Sequence, residues 1–156
     1  MSTLSAGGTK SSGAGAIRHY CTFWVESLYL GVESIRVQEV VRHIPTTRVP
    51  LAPPAAKGLI NLRGQIVLTV DLRTRLGLSP RDETLLPTNV VVQTDDGVVS
   101  LLVDDIDDVL DLDDSVFEAT PSTLTAHLRA LLLGVCKLEK RLLLVLDIDK
   151  VSQLED

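Results

Sequence analysis

Three histidines, two cysteines and a dense run of aspartates are the side chains of this sequence that could do chemistry. His19, His43 and His127 stand far apart, and none is spaced with another His or a Cys as zinc ligands are. There is no G-x-S-x-G nucleophile elbow and no H-E-x-x-H helix motif. A triad could be assembled from distant residues, but no motif points to one. Cys21 and Cys136 belong to no C-x-x-C. Two lone thiols suit a reducing compartment and argue against a disulfide framework. Seven of the eleven residues from Asp104 to Asp114 are Asp, and calcium favours such oxygens. A calcium loop needs a sharp turn, usually at a Gly, and a closing bidentate Glu. Here the run has no Gly, and Ile106, Val109, Leu110 and Leu112 interrupt it. The expectation is a strand or turn whose aspartates face solvent. A metal- or ligand-binding barrel enzyme is the alternative class.

The most distinctive stretch runs from Lys57 through Gly58, Asn61, Arg63 and Gly64 to Val67, and on to Asp71-Leu72-Arg73. It reads as a loop between two glycines that presents Asn61 and Arg63, followed by a strand. Gly58 and Gly64 permit positive φ or close backbone approach. The planar five-donor fork of Arg63 suits a carboxylate or several carbonyls. On the local sequence alone, partner contact and an intramolecular tie are equally good readings of Arg63.

Short strands are the elements available to hold these residues. Strands are expected at Tyr20–Val25 and Leu28–Val32 across a tight turn at Glu26-Ser27, at Gln65–Val70, and at Asn89–Thr94 and Val98–Val103 around Asp95-Asp96-Gly97. Further strands are expected at Ile106–Leu112 and Leu142–Leu146. Ile35–Arg42 fits either a helical turn or a bent strand. Four prolines make 45–54 an extended surface or edge segment. Helical turns are expected at Leu72–Leu76 and Ile148–Leu154, and a longer helix at Thr123–Leu133 capped by Ser122. Residues 1–16 are nearly all Ser, Thr, Gly and Ala, and read as a disordered tail.

Whole-chain composition narrows the function classes. The chain has 156 residues, 45% of them hydrophobic, which suits one domain with a sizeable core. The longest apolar runs, 130–133 and 142–146, fall far short of the roughly 18 residues of a spanning helix. Net charge is −6, yet residues 1–81 carry +6 and residues 82–156 carry −12. The basic half has its charges singly spaced, and aromatics are scarce, so neither a nucleic-acid footprint nor a stacking platform is expected.

In order and spacing, five motifs together resemble the CheW family, the adaptors of bacterial chemotaxis. They are Leu30-Gly31-Val32 with Ile35–Val40, Thr47-Arg48-Val49-Pro50, Lys57–Gly64 with Asp71-Leu72-Arg73, Leu102-Val103-Asp104 with Asp108-Val109-Leu110, and Leu142–Ile148. The resemblance covers about Tyr20 to Leu154. It implies a mainly β fold of two small five-stranded SH3-like barrels around a shared core, with short helices. The domain would span 17–154, with a first barrel region at 17–80 and a second at 85–150, interwoven or not. It implies no catalysis and no cofactor. The implied partners are the regulatory domain of a CheA-type histidine kinase and the cytoplasmic tip of methyl-accepting chemoreceptors, in the cytoplasm, at the inner face of the membrane. Receptor contact carries over to Val37, Glu39, Gly58, Asn61 and Arg63, with Glu39 and Arg63 able to pair across the groove. The kinase would meet apolar barrel ends. A related reading is a CheW-like domain that competes for the kinase without activating it, or inhibits it.

Overall fold

The computed structural model describes residues 16–154 except Glu83. The expectation of a disordered tail therefore lies outside the described residues apart from Ala16, whose carbonyl accepts a bond from the Asp114 amide at 3.1 Å.

The chain is mainly β. In order it forms β1 (Ile17–Val25), β2 (Leu28–Glu33), a 3-10 turn (Ser34–Arg36), β3 (Val37–Val41), β4 (Ala56–Leu62), β5 (Gln65–Asp71) and α1 (Leu72–Arg75). Then come β6 (Thr88–Thr94), β7 (Gly97–Val103), β8 (Asp105–Asp113), β9 (Phe117–Glu118), α2 (Ala126–Ala130), β10 (Leu132–Lys137), β11 (Leu142–Leu146) and α3 (Ile148–Val151). Ile35–Arg42 is both things the period allowed, a 3-10 turn and then a strand. The 57–64 stretch is corrected. It is not a loop but strand β4 running into a two-residue turn at Arg63-Gly64. The helix expected at Thr123–Leu133 is also corrected. Only Ala126–Ala130 is helical, Thr125 rather than Ser122 caps it, and Leu132 and Leu133 belong to β10.

The strands form two sheets with one design. The first is ordered β8-β1-β2-β11-β10-β9, the second β3-β6-β7-β5-β4. In each, two antiparallel hairpins meet through a parallel pair, β2 with β11 and β5 with β7. One outer strand of each sheet arrives from the other. The chain leaves β2 to become β3 of the second sheet, and leaves β7 to become β8 of the first. Both crossovers are short, so the sheets are chained together twice.

A single core fills the space between them. From the first sheet it takes Phe23, Val25, Leu30, Val32 and Leu144, and from the second Val70, Val90, Val92, Leu101 and Val103. Leu72, Leu128, Ile148 and Val151 plug its ends from the three short helices. Each such side chain contributes about 1.5–3 kcal/mol when fully buried. Residues Thr88–Val92 of β6 are buried on both faces, because the second sheet also curls over its own interior. The first sheet encloses a smaller cluster of Tyr20, Tyr29, Cys136, Leu143 and Val145.

Candidate functional site

The β4–β5 hairpin is the local device that presents Arg63. Its two turn residues have φ of 54° at Arg63 and 85° at Gly64. Positive φ at both positions matches the right-handed twist of the flanking strands. Asn61 fastens the turn by accepting from the Gly64 amide at 2.8 Å. A non-glycine residue in this conformation is uncommon and strained, so the Arg63 side chain is held at a fixed departure point.

From there the guanidinium reaches Glu39. Its Nη1 donates to Oε2 at 2.5 Å and its Nη2 to Oε1 at 2.6 Å, a fork-on-carboxylate pairing. Glu39 lies on β3 and Arg63 at the end of β4, the two opposite edges of the second sheet. The pair thus joins edges that only a curled sheet brings together. The Arg63 hydrogen bonds hold the Glu39 carboxyl below its ordinary range, and Glu39 raises the Arg63 pKa. The Arg63 side chain remains 74% exposed while Glu39 is 23% exposed. One partner is seated and the other is offered to solvent.

The remaining expected contact residues are placed differently. Asn61 is exposed beside the turn, and its register partner on β5 is Ile66, an apolar side chain 61% exposed. Nothing in the sequence distinguishes Ile66, which reads there as one more strand hydrophobe. Val37 is half-buried and packs against the large core. Gly58 is buried at a bulge of β4. A Cβ there would sit 2.2 Å from the Thr47 carbonyl oxygen, where Thr47 and Leu59 exchange backbone bonds. Glu39, Arg63 and Asn61 therefore form one surface, while Val37 and Gly58 support it from beneath.

The aspartate run is dispersed. Asp107 accepts from the Trp24 indole at 2.9 Å, Asp111 pairs with His19, and Asp114 with Arg18. Asp104 corrects the expectation of outward-facing aspartates. Its side chain is 13% exposed and takes bonds from Arg73, Arg81 and the Glu26 amide. Among the described residues no three His, Cys, Asp or Glu side chains converge as metal ligands do.

Residues 19–156 match the CheW-like domain. The chain belongs to the CheW family. A probable chemotaxis protein CheW of Rhizobium etli is 32% identical over 76% of each chain. The chemotaxis protein CheW of Rhizobium meliloti is 32% identical over 89% of this chain and 90% of its own. The crystal structure of the scaffolding protein TtCheW from Thermoanaerobacter tengcongensis superposes with a TM-score of 0.82, covering 90% of this chain and 95% of that one at 24% identity. The two curled sheets are thus the two SH3-like barrels of the CheW fold, one of them carrying the two-residue β9 as a sixth strand. CheW-family proteins are scaffolds and adaptors rather than enzymes.

Proposed function

We propose that this chain is a non-enzymatic adaptor that couples chemoreceptors to a CheA-type histidine kinase, in chemotaxis or a related chemosensory pathway. The observation that carries this reading is the Arg63–Glu39 pair, seated on one barrel edge and open to solvent at the other member. Loops on rigid scaffolds commonly carry recognition. A guanidinium already oriented by a carboxylate loses less freedom on binding than a free one. Arg63, Glu39, Asn61 and the neighbouring Ile66 form the receptor-side surface, with Val37 and Gly58 fixing the strands under it. The kinase regulatory domain meets apolar barrel ends. Among the described residues no helix is long and apolar enough to cross a membrane. In this reading the protein reaches the inner face of the membrane from the cytoplasm through receptors.

Reconstitution with the cognate kinase and receptor tests the reading. The expected result is stimulated autophosphorylation in the presence of receptor. Inhibition would support the competing-domain reading instead, and absence of binding to either partner would overturn both.

A further inference from the structure

Glu39 must stand where the Arg63 fork can close on it, yet its strand is held on one side only. β3 is an outer strand of the second sheet and pairs with β6 alone. Its register is broken early. Val37 lies opposite Val92 and Glu39 opposite Val91, so Gln38 is an extra residue between them. A bulge bends its strand and re-aims the side chains around it. A one-sided ladder with a bulge leaves the direction of Glu39 sensitive to how the strand is held at its start.

That start is held by a carboxylate from the far end of the chain. Asp149 of α3 accepts from Arg36 Nη2 at 2.8 Å and from the Asp95 amide at 2.7 Å. Arg36 ends the 3-10 turn that leads directly into Val37. Asp95 follows β6, the strand on which β3 is paired. Asp149 thus clamps the beginning of β3 to the end of its partner strand. The post that carries it is fixed. Ile148 and Val151 of the same helix are buried in the shared core, and Arg75 donates to the Lys150 and Val151 carbonyls, each at 2.9 Å. The Asp95 turn is braced as well. Thr94 Oγ1 donates to the Gly97 carbonyl at 2.8 Å and accepts from the Asp96 amide at 3.1 Å. The Arg36 and Asp149 side chains are 33% and 29% exposed, and a partly buried pair is screened less than an exposed one.

We propose that Asp149 is a positioning residue of the receptor-side surface: through Arg36 and Asp95 it holds β3 so that Glu39 meets Arg63. Its own side-chain bonds go to neither member of that pair. The last helix of the chain, which lies outside the sheet presenting the surface, thereby sets the geometry of that surface. The binding half of this inference rests on the receptor-side reading of Arg63, whereas the positioning half does not.

Two measurements on the full chain test it. The first is exchange of the Arg63 guanidinium protons with water, followed by nitrogen-15 NMR, which reports the Arg63–Glu39 pair without any partner. Asp149→Ala and Arg36→Ala should speed this exchange towards the rate seen in Glu39→Ala, although both leave Glu39 and Arg63 in place. The second is affinity for the receptor tip, which should fall about fivefold in the same two variants. Arg36→Lys keeps the ion pair and should bind nearly as wild type does. Asp149→Asn keeps an acceptor for the Asp95 amide and lacks the charge, so it should fall between wild type and Asp149→Ala, and it replaces that variant if the alanine protein fails to fold. Unchanged Arg63 exchange overturns the proposal. So does Arg36→Lys binding as weakly as Arg36→Ala, or intact receptor affinity in Asp149→Ala when Arg63→Ala loses it. If Arg63→Ala itself keeps full affinity, the receptor-side reading fails instead, and the exchange measurement alone decides the positioning.

Discussion

Arg63 and Gly58 separate two kinds of importance that a short motif runs together. The Arg63 guanidinium is largely in water, and exposed ion pairs contribute little to stability. Arg63→Ala should leave the denaturation midpoint nearly unchanged while weakening receptor-tip affinity roughly thirtyfold. Kinase affinity should change much less. A double-mutant cycle with Glu39→Ala should be non-additive in receptor binding, because Glu39 acts through Arg63. Titration calorimetry and chemical denaturation on the same four proteins would check both halves. Unfolding by Arg63→Ala, with unchanged affinity of the folded fraction, would remove it from the surface. Gly58 is the converse. A side chain there meets the Thr47 carbonyl in a backbone conformation with φ of +150°. Gly58→Ala should cost roughly 2–4 kcal/mol from overpacking and strain together. Its receptor binding should fall only as far as the folded population falls.

At the scale of elements, the β7–β8 connection is held by a compact cluster of charges. Arg73 binds Asp104 through Nε and Nη2, the latter at 2.6 Å, and Arg81 adds a bond from Nε at 2.9 Å. The Glu26 amide, in the β1–β2 turn, donates to the same carboxylate at 2.7 Å. Burial alone pushes the Asp104 carboxyl up, but the bonds from Arg73, Glu26 and Arg81 outweigh it and hold the pKa below the ordinary 3.8. A depressed folded-state pKa adds stability that is fully present above the unfolded value. That stability drains as pH falls through the folded one. Asp104→Asn should therefore cost about 3 kcal/mol near neutral pH, since two nearly buried guanidiniums lose their shared partner. The gap to wild type should narrow below about pH 4. Urea unfolding of both proteins between pH 7 and 2 would show it, and a pH-independent gap would contradict it. The same elements mark what the sequence could tell. Strands with clean alternation or an Asp-Gly turn, such as β6 and β7, are legible from local pattern. β4 is not, because Lys57, Gly58 and Asn61 interrupt its apolar residues. β10 is hidden because Leu131–Leu133 fit a helical period as well as a strand, and only pairing with β11 decides. Asp104 reads as one of seven aspartates until the fold brings Arg73 and Arg81 to it.

At the scale of the whole molecule, the crossovers determine how the two barrels depend on each other. Between residues 17 and 81 lie β1–β5, yet the partners of β1, β2, β3 and β5 include β8, β11, β6 and β7 from beyond residue 82. No local pattern in the sequence reveals this, because all four pairings are distant along the chain and two of them, β2 with β11 and β5 with β7, are parallel. The crossovers are also tied down. Asp104 sits at one, and at the other Arg36 donates to Asp149 of α3 at 2.8 Å, while Asp149 also accepts from the Asp95 amide at 2.7 Å. With one core spanning both sheets, neither barrel can lose its order without stripping an outer strand and a core wall from the other. The chain should therefore unfold as one cooperative unit. Fluorescence of Trp24, which lies in the first sheet, should change with the same midpoint as far-UV circular dichroism, which averages over both. Fragments 17–81 and 82–154 should each lack a cooperative melt alone and regain one when mixed, since each supplies the other's missing strands. Two separated transitions, or one fragment with a cooperative melt of its own, would mean that the barrels are independent despite their shared strands and core.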